Sequence, residues 1–237
     1  MTQLNILVTG SSRGIGKSIL AALGQHNAVG HSTRGGEGLI AADLSEPGAA
    51  ERLWGEALER LGGSIDVLVN NAGIFEAAPI ESSAADWSAA WERTMRINLT
   101  ASAELCRLAV LHFRERGASR GGRIVNVSSR AAYRGDSPQH WHYAASKAGM
   151  IGMTKSIARG YAGENILAFA VCPGFTMTGM AEDYLESRGG DKLLADIPLG
   201  RVASADEVAE TVRWLAVDAP ASATGAVIDV NGASYVR

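Results

Sequence analysis

Short apolar runs rich in β-formers alternate along the chain with segments of helical period, and few folds accommodate that alternation. The runs cover residues 5–9, 28–32, 39–42, 65–70, 122–128, 165–172 and 226–230; the helical segments cover 14–23, 47–61, 86–115, 143–162 and 205–217. Runs this apolar suit strands covered on both faces, and βαβ units in series predict a doubly wound parallel sheet. An α/β fold of about seven strands is expected. With no internal repeat or Pro-rich linker, residues 1–237 are expected to form a single domain.

The composition agrees with a packed α/β chain and removes several function classes. Of 237 residues, 46% are hydrophobic and 20% charged, which is enough apolar material for a full core and too much for disorder. The 22 Lys and Arg against 25 Asp and Glu leave a net charge of −3, so no nucleic acid is expected to be held by bulk positive charge. No apolar stretch approaches the roughly 20 residues that span a bilayer, and residues 1–5 lack a signal-like pattern, so a cytoplasmic protein with no membrane partner is expected. Cys106 and Cys172, in no metal-ligand spacing, are expected to be reduced core thiols, and no metal site is expected.

One connection is too short. Only a handful of residues, including Gly35, Gly36 and Gly38, separate the second run from the third, whereas a helical crossover takes about a dozen. The helix between these strands is expected to be short or absent.

The first strand runs into Thr9-Gly10-Ser11-Ser12-Arg13-Gly14-Ile15-Gly16 and then a helix. Gly10 permits a tight turn, Gly14 lets backbone approach a pyrophosphate, and Gly16 lets the helix pack closely, while the helix N-terminus offers free N–H donors. A dinucleotide site follows, with Gly10, Ser12, Arg13, Gly14, Ile15 and Gly16 as candidate contacts. Arg13 lies within the turn and Arg34 just beyond the second strand, where no acidic residue stands nearer than Glu37. Arginine pairs with a 2′-phosphate, whereas a carboxylate hydrogen-bonds a 2′-hydroxyl, so NADP(H) is favoured, with NAD(H) the alternative.

Tyr143 and Lys147 stand four apart on a helical segment and so share a face. An ammonium about 5 Å from a phenol, at an effective dielectric of about 20, favours phenolate by roughly 3 kcal/mol, about two pKa units below a usual value of about 10. A tyrosine so placed is expected to exchange protons near neutral pH.

Taken together, the Thr9–Gly16 turn, Asn70-Asn71-Ala72-Gly73, Asn98, Ser128-Ser129, Tyr143-Ala144-Ala145-Ser146-Lys147 and Pro173-Gly174 resemble the short-chain dehydrogenase/reductase family over nearly the whole chain, nearest in look to 3-oxoacyl carrier-protein reductases. The resemblance implies a Rossmann-type sheet and hydride transfer between a nicotinamide and a carbonyl or secondary alcohol. It implies catalytic roles for Asn98, Ser129, Tyr143 and Lys147: Tyr143 as acid or base, Lys147 on the nicotinamide ribose, Ser129 on the substrate oxygen, and Asn98 tying Lys147 through water to a proton relay. It places Asp43 and Leu44 at adenine, and Asn70, Ala72 and Gly73 along the adenosine and ribose. Pro173, Gly174, Thr176 and Thr178 fall near the nicotinamide. Asn70-Asn71 also suits a strand-ending turn with side chains bonded to backbone.

Ser129 stands one residue farther from Tyr143 than in close relatives; the turn at 134–139 can absorb it, which favours Ser129 over Ser128. His140 and His142 are expected to shape the pocket wall or lie in solvent. Phe75, Tyr133, Trp141, Phe175, Met177, Met180 and Tyr184 could surround a partly apolar substrate, and residues 176–200, with Gly189-Gly190, resemble a lid. Arg130 and Arg134 could meet a carrier-linked substrate or remain solvated. The resemblance also implies a homotetramer through the helices at 86–115 and 143–162. An NAD-dependent alcohol, sugar or polyol dehydrogenase, and a non-catalytic nucleotide sensor or scaffold, are the alternatives.

Overall fold

In a computed structural model, residues 3–177 and 194–237 are described. Their strands are β1 (Asn5–Val8), β2 (Asn27–Ser32), β3 (Leu39–Ala41), β4 (Val67–Asn70), β5 (Gly122–Val127), β6 (Ile166–Pro173), β7 (Thr176–Met177), β8 (Ala203–Ser204) and β9 (Val227–Val230). Seven of them form one sheet in the order β3-β2-β1-β4-β5-β6-β9, every pairing parallel. This is the Rossmann-type α/β fold, and its order reverses between β1 and β4, where such sheets open a crevice beyond the strand ends.

Strand parity sorts side chains between two cores. Leu7, Leu68 and Ile124 join the helices α2 (Ala49–Arg60), α4 (Ala101–Glu115) and α6 (Trp141–Tyr161), against Leu53, Leu105, Phe113 and Ile157. Ile6, Val8, Val69, Val125 and Phe169 face the other way, onto Ile19 of α1 (Gly14–Ala22) and Val208, Val212 and Leu215 of α7 (Ala205–Val217). Helix α7 starts where predicted because Ser204 and Glu207 close a reciprocal capping box.

Residues 33–38 carry no helix. A crossover normally has to run back the length of a strand, but β3 has three residues, so the return here is only about 10 Å. The helix predicted over 86–115 is divided. It is α3 (Ala84–Met95), one widened π-turn (Arg96–Thr100) and then α4. The short α5 (Ala131–Arg134) and the two-residue β7–β8 pair were not legible from periodicity. No helix among the described residues is long and apolar enough to cross a membrane.

Candidate active site

The glycine turn is welded to the loop after β4. Gly10 has φ +66°, and a Cβ there would lie 2.6 Å from the Ala72 Cα; a Cβ at Gly16 would lie 2.2 Å from the Gly10 carbonyl oxygen. Asn71 Nδ2 donates to the carbonyls of Thr9 (3.1 Å) and Gly10 (2.9 Å), and Thr9 Oγ1 accepts from the Asn71 and Ala72 amides (3.0 Å each). Thr9 and Asn71 therefore brace the turn, a role the strand-ending signal of Asn70-Asn71 foreshadowed. Helix α1 has no side-chain cap and no acid in its first turn, so its N-terminal amides stay available to an anion. A shape that excludes Cβ atoms and leaves donors uncapped fits a pyrophosphate. Ser12 and Arg13 are exposed at its mouth, with Gly14 and Ile15 half-buried behind them. Arg34 is exposed beyond β2, and neither Arg13 nor Arg34 meets a carboxylate among the described residues.

A buried histidine, marked by no motif, also holds this turn. His31 at the end of β2 accepts the Gly10 amide on Nδ1 (3.1 Å), and its Nε2 lies 2.8 Å from the Ala42 carbonyl. An acceptor at Nδ1 and a donor at Nε2 make it the neutral Nε2–H tautomer. Burial pushes its pKa down, opposed by the Ala42 hydrogen bond and the Asp43 charge.

Two of the expected adenosine contacts are placed differently. The Asn70 side chain is buried away from the strand-end crevice, donating to Asn126 Oδ1 (2.9 Å) and Cys106 Sγ (3.3 Å). Its partner in register on β5 is Asn126, so parity sends both amides into the α4–α6 side of the core. Leu44 likewise packs in that core, which leaves only its backbone for a ligand. Asp43 is exposed, and the Ser45 hydroxyl and amide (2.7 and 2.9 Å) hold its carboxyl below the usual range.

The other candidates converge on the ends of β4, β5 and β6. Gly73 lies close against the site: a Cβ there would stand a tight 3.2 Å from Asn98 Oδ1 and in ordinary contact, 3.5 Å, with Lys147 Nζ. Asn98 sits in the π-turn, fully buried; its Oδ1 accepts the Ile74 amide (2.8 Å), and its Nδ2 donates to the Ile74 carbonyl (3.0 Å) and Ser146 Oγ (3.2 Å). Its side chain thus braces the loop against α6. Ser128 and Ser129 divide their work: buried Ser128 donates to the Lys147 carbonyl (2.8 Å), whereas Ser129 hydrogen-bonds the Tyr143 phenol and accepts the Ala131 amide (3.1 Å). Pro173 ends β6, and Gly174 donates to Val230 (2.9 Å). Thr176 is buried in the β7–β8 pair. Thr178, Met180, Tyr184, Gly189 and Gly190 lie outside the described residues.

Tyr143 and Lys147 come together, but the sign of the phenol's shift reverses. Lys147 Nζ lies 5.8 Å from the Tyr143 ring centre and donates to the Val127 carbonyl (2.9 Å). Burial pushes the phenol up to about 12, with the Ser129 hydrogen bond pulling the other way. It pushes the ammonium down to about 8. Loss of hydration dominates, so the lowering expected from Lys147 is replaced by a raised pKa, and the phenol lies farther from neutral pH than its spacing predicts.

Around this centre, Phe75 stacks on His140 and meets Tyr143 edge-on, while His142 is buried beside Trp91 rather than solvated. Tyr133 turns instead to Tyr235 and Arg237. Arg130 and Arg134 both face Asp196, at 3.6 and 2.7 Å.

Comparison with known proteins gives this arrangement a lineage. A family profile described as Enoyl-(Acyl carrier protein) reductase matches residues 13–233. The 3-oxoacyl-(acyl-carrier-protein) reductase FabG of Thermotoga maritima is 36% identical, covering 95% of each chain. Nodulation protein G of a Rhizobium species is also 36% identical, over 98% of this chain and 97% of its own. Acetoacetyl-CoA reductase of Shinella zoogloeoides is 34% identical, over 97% of each. With its parallel sheet, glycine turn and Ser-Tyr-Lys cluster, the chain belongs to the short-chain dehydrogenase/reductase family and is an oxidoreductase acting on a hydroxyl or carbonyl group.

Proposed function

We propose that this chain, acting as one nicotinamide-nucleotide-binding domain, is an NADP(H)-dependent reductase of 3-oxoacyl compounds. The observation that carries the reading is the Tyr143 phenol, set beside Ser129 and one helical turn from Lys147. The raised pKa makes this phenol a weaker acid than a solvated one, but it still carries its proton at neutral pH and can give it to the far more basic alkoxide that hydride transfer creates. The names of the relatives, 3-oxoacyl reductase and acetoacetyl-CoA reductase, support the substrate class. Arg13 and Arg34, which meet no carboxylate among the described residues, support the 2′-phosphate.

The uncapped α1 N-terminus with Gly10, Gly14 and Gly16 would hold the pyrophosphate of the cofactor, and Lys147 its nicotinamide ribose. When bound, the reduced nicotinamide supplies hydride to the carbonyl carbon. Ser129 and Tyr143 hydrogen-bond the carbonyl oxygen and stabilise the negative charge growing there. Tyr143 gives that oxygen its proton. The phenolate left behind has the Lys147 ammonium 5.8 Å from its ring centre, and unit charges at about that separation attract by about 3 kcal/mol at an effective dielectric of about 20. Lysine thus stabilises the product of proton transfer rather than depressing the resting phenol. Asn98 keeps Gly73 and Ile74 against this pair.

Incubating the purified chain with NADPH and an acetoacetyl thioester tests the proposal. Nucleotide oxidation should proceed with kcat/KM at least about tenfold above that with NADH; no oxidation, or a preference for NADH, contradicts it. A cytoplasmic homotetramer is proposed alongside, assembled through α4 and α6. An exposed row of small residues on α6, Ala145, Ala148 and Gly152, would let helices approach closely, and light scattering at the monomer mass contradicts that assembly.

A further inference from the structure

The loop after Gly73 runs beside the start of α6, tied there by the Ala78 amide on the Gln139 carbonyl (2.8 Å). This places a series of large apolar side chains against the phenol. The Phe75 ring meets the Tyr143 ring edge-on at 4.8 Å and lies flat on His140, 3.9 Å away at an interplanar angle of 3°. Farther out, Trp87 stacks on Trp91 and meets Trp141 edge-on. Ile80, Ser82, Ala84, Trp87, Ser88 and Trp141 line a groove of about 410 Å³, within the range of small-molecule sites. Phe75 remains 50% exposed, Trp141 53% and Ile80 59%. So much uncovered apolar surface reaching the reacting group marks a surface made to be covered.

Charge narrows what can cover it. The groove lining has no ionisable side chain. Of the acids along the loop, Glu76 is paired with Arg93 and Asp86 with the Ser83 hydroxyl, while Glu81, between Ile80 and Ser82, is exposed and in no ion pair among the described residues. Arg130 and Arg134, the cations nearest Ser129 in sequence, are engaged by Asp196. An exposed acid at the rim disfavours a phosphate or carboxylate, the polar groups among the described residues of the wall are the Ser82 and Ser88 hydroxyls and the His140 ring, and the flat ring faces reward stacking by another ring.

We infer that the substrate carries an aryl group on the side of its carbonyl remote from the thioester, seated along the wall from Phe75 to Trp141. The inference rests on the reductase function proposed above and adds the substrate's non-reacting half.

The test compares two N-acetylcysteamine thioesters with NADPH: 3-oxobutanoyl and 3-oxo-5-phenylpentanoyl, whose ring is insulated from the carbonyl so that both ketones are equally electrophilic. The aryl substrate should have kcat/KM at least tenfold higher, and Phe75→Ala and Trp141→Ala should each bring the ratio to within about threefold of unity. A wild-type ratio near one, or a ratio unmoved in both variants, overturns the inference. So does a Trp141→Ala protein that dissociates in light scattering while keeping its selectivity, because a second copy of the chain would then be the occupant. If neither thioester is reduced, the functional proposal fails separately, and the groove is read by quenching of tryptophan emission with 4-phenyl-2-butanone. Saturable quenching that is lost in Phe75→Ala, which retains every tryptophan, supports the aryl site; its absence in the wild type overturns it.

Discussion

Lys147 Nζ stands 5.8 Å from the Tyr143 ring centre, one turn along α6, and burial drives the two groups in opposite directions, the phenol to about 12 and the ammonium to about 8. Each is held toward its uncharged form. The site is therefore tense before any ligand arrives, and the tension has measurable consequences.

A lysine whose folded pKa is lowered from 10.5 to about 8 costs stability. Between those values the unfolded chain binds the extra proton, so stability rises with pH across that window, and the full cost, about 3 kcal/mol, is present below pH 8. Lys147→Met should stabilise the ligand-free protein at pH 7 by about 1–2 kcal/mol, part of the gain being lost with the Val127 hydrogen bond. Turnover should fall at least about a thousandfold. Urea denaturation beside steady-state assays checks both, and a destabilised variant contradicts the account.

The pH profile of kcat/KM for carbonyl reduction should fall above about pH 8, where Lys147 loses its proton, while Tyr143 remains protonated to about 12. Lys147→Arg, which keeps its charge, should move that limb upward whatever activity remains. A limb unmoved in Lys147→Arg would assign it to another group.

Ser129→Ala should lower kcat by about 10²–10³-fold with NADPH affinity unchanged, as expected when a donor to a developing oxyanion is removed. Ser128→Ala should keep kcat within a few-fold and cost about 1 kcal/mol of stability, the worth of its bond to the Lys147 carbonyl. Kinetics and denaturation of the pair separate the two serines, and the reverse pattern contradicts the assignment.

His31 ties cofactor binding to pH. Its folded pKa lies below 6.5, so the unfolded state takes up the proton first and stability is lost as pH falls below 6.5. A proton on Nδ1 would oppose the Gly10 amide and release the turn. ADP-ribose, which has no 2′-phosphate to titrate, should bind severalfold more weakly at pH 5.5 than at pH 7.5, and His31→Asn should flatten that dependence. Calorimetric titration at the two pH values measures it; equal wild-type affinities contradict the role.

The sheet, the missing β2–β3 helix and the glycine turn were legible because they depend on local periodicity, chain length and backbone sterics. The turn that absorbs one residue favoured Ser129 over Ser128, and Ser129 is the serine that lies beside the Tyr143 phenol. Four features were not legible. The π-turn at Asn98 adds less than a residue to one turn of a continuous helix and leaves the apolar pattern almost unchanged. The burial of Asn70 follows from pairing with Asn126 across β4 and β5, a long-range register that no local motif carries. The raised pKa of Tyr143 was hidden because spacing along a helix reports the attraction of Lys147 but not the loss of water around both groups. His31 belongs to no motif, and only the fold brings it under Gly10.

The central claim is that the buried Tyr143 phenol is the proton donor. The single-turnover rate of NADPH oxidation in Tyr143→Phe, with an acetoacetyl thioester saturating, tests it most directly. The predicted result is a fall of at least about a thousandfold with NADPH affinity within about threefold of wild type. A rate within tenfold of wild type would contradict it.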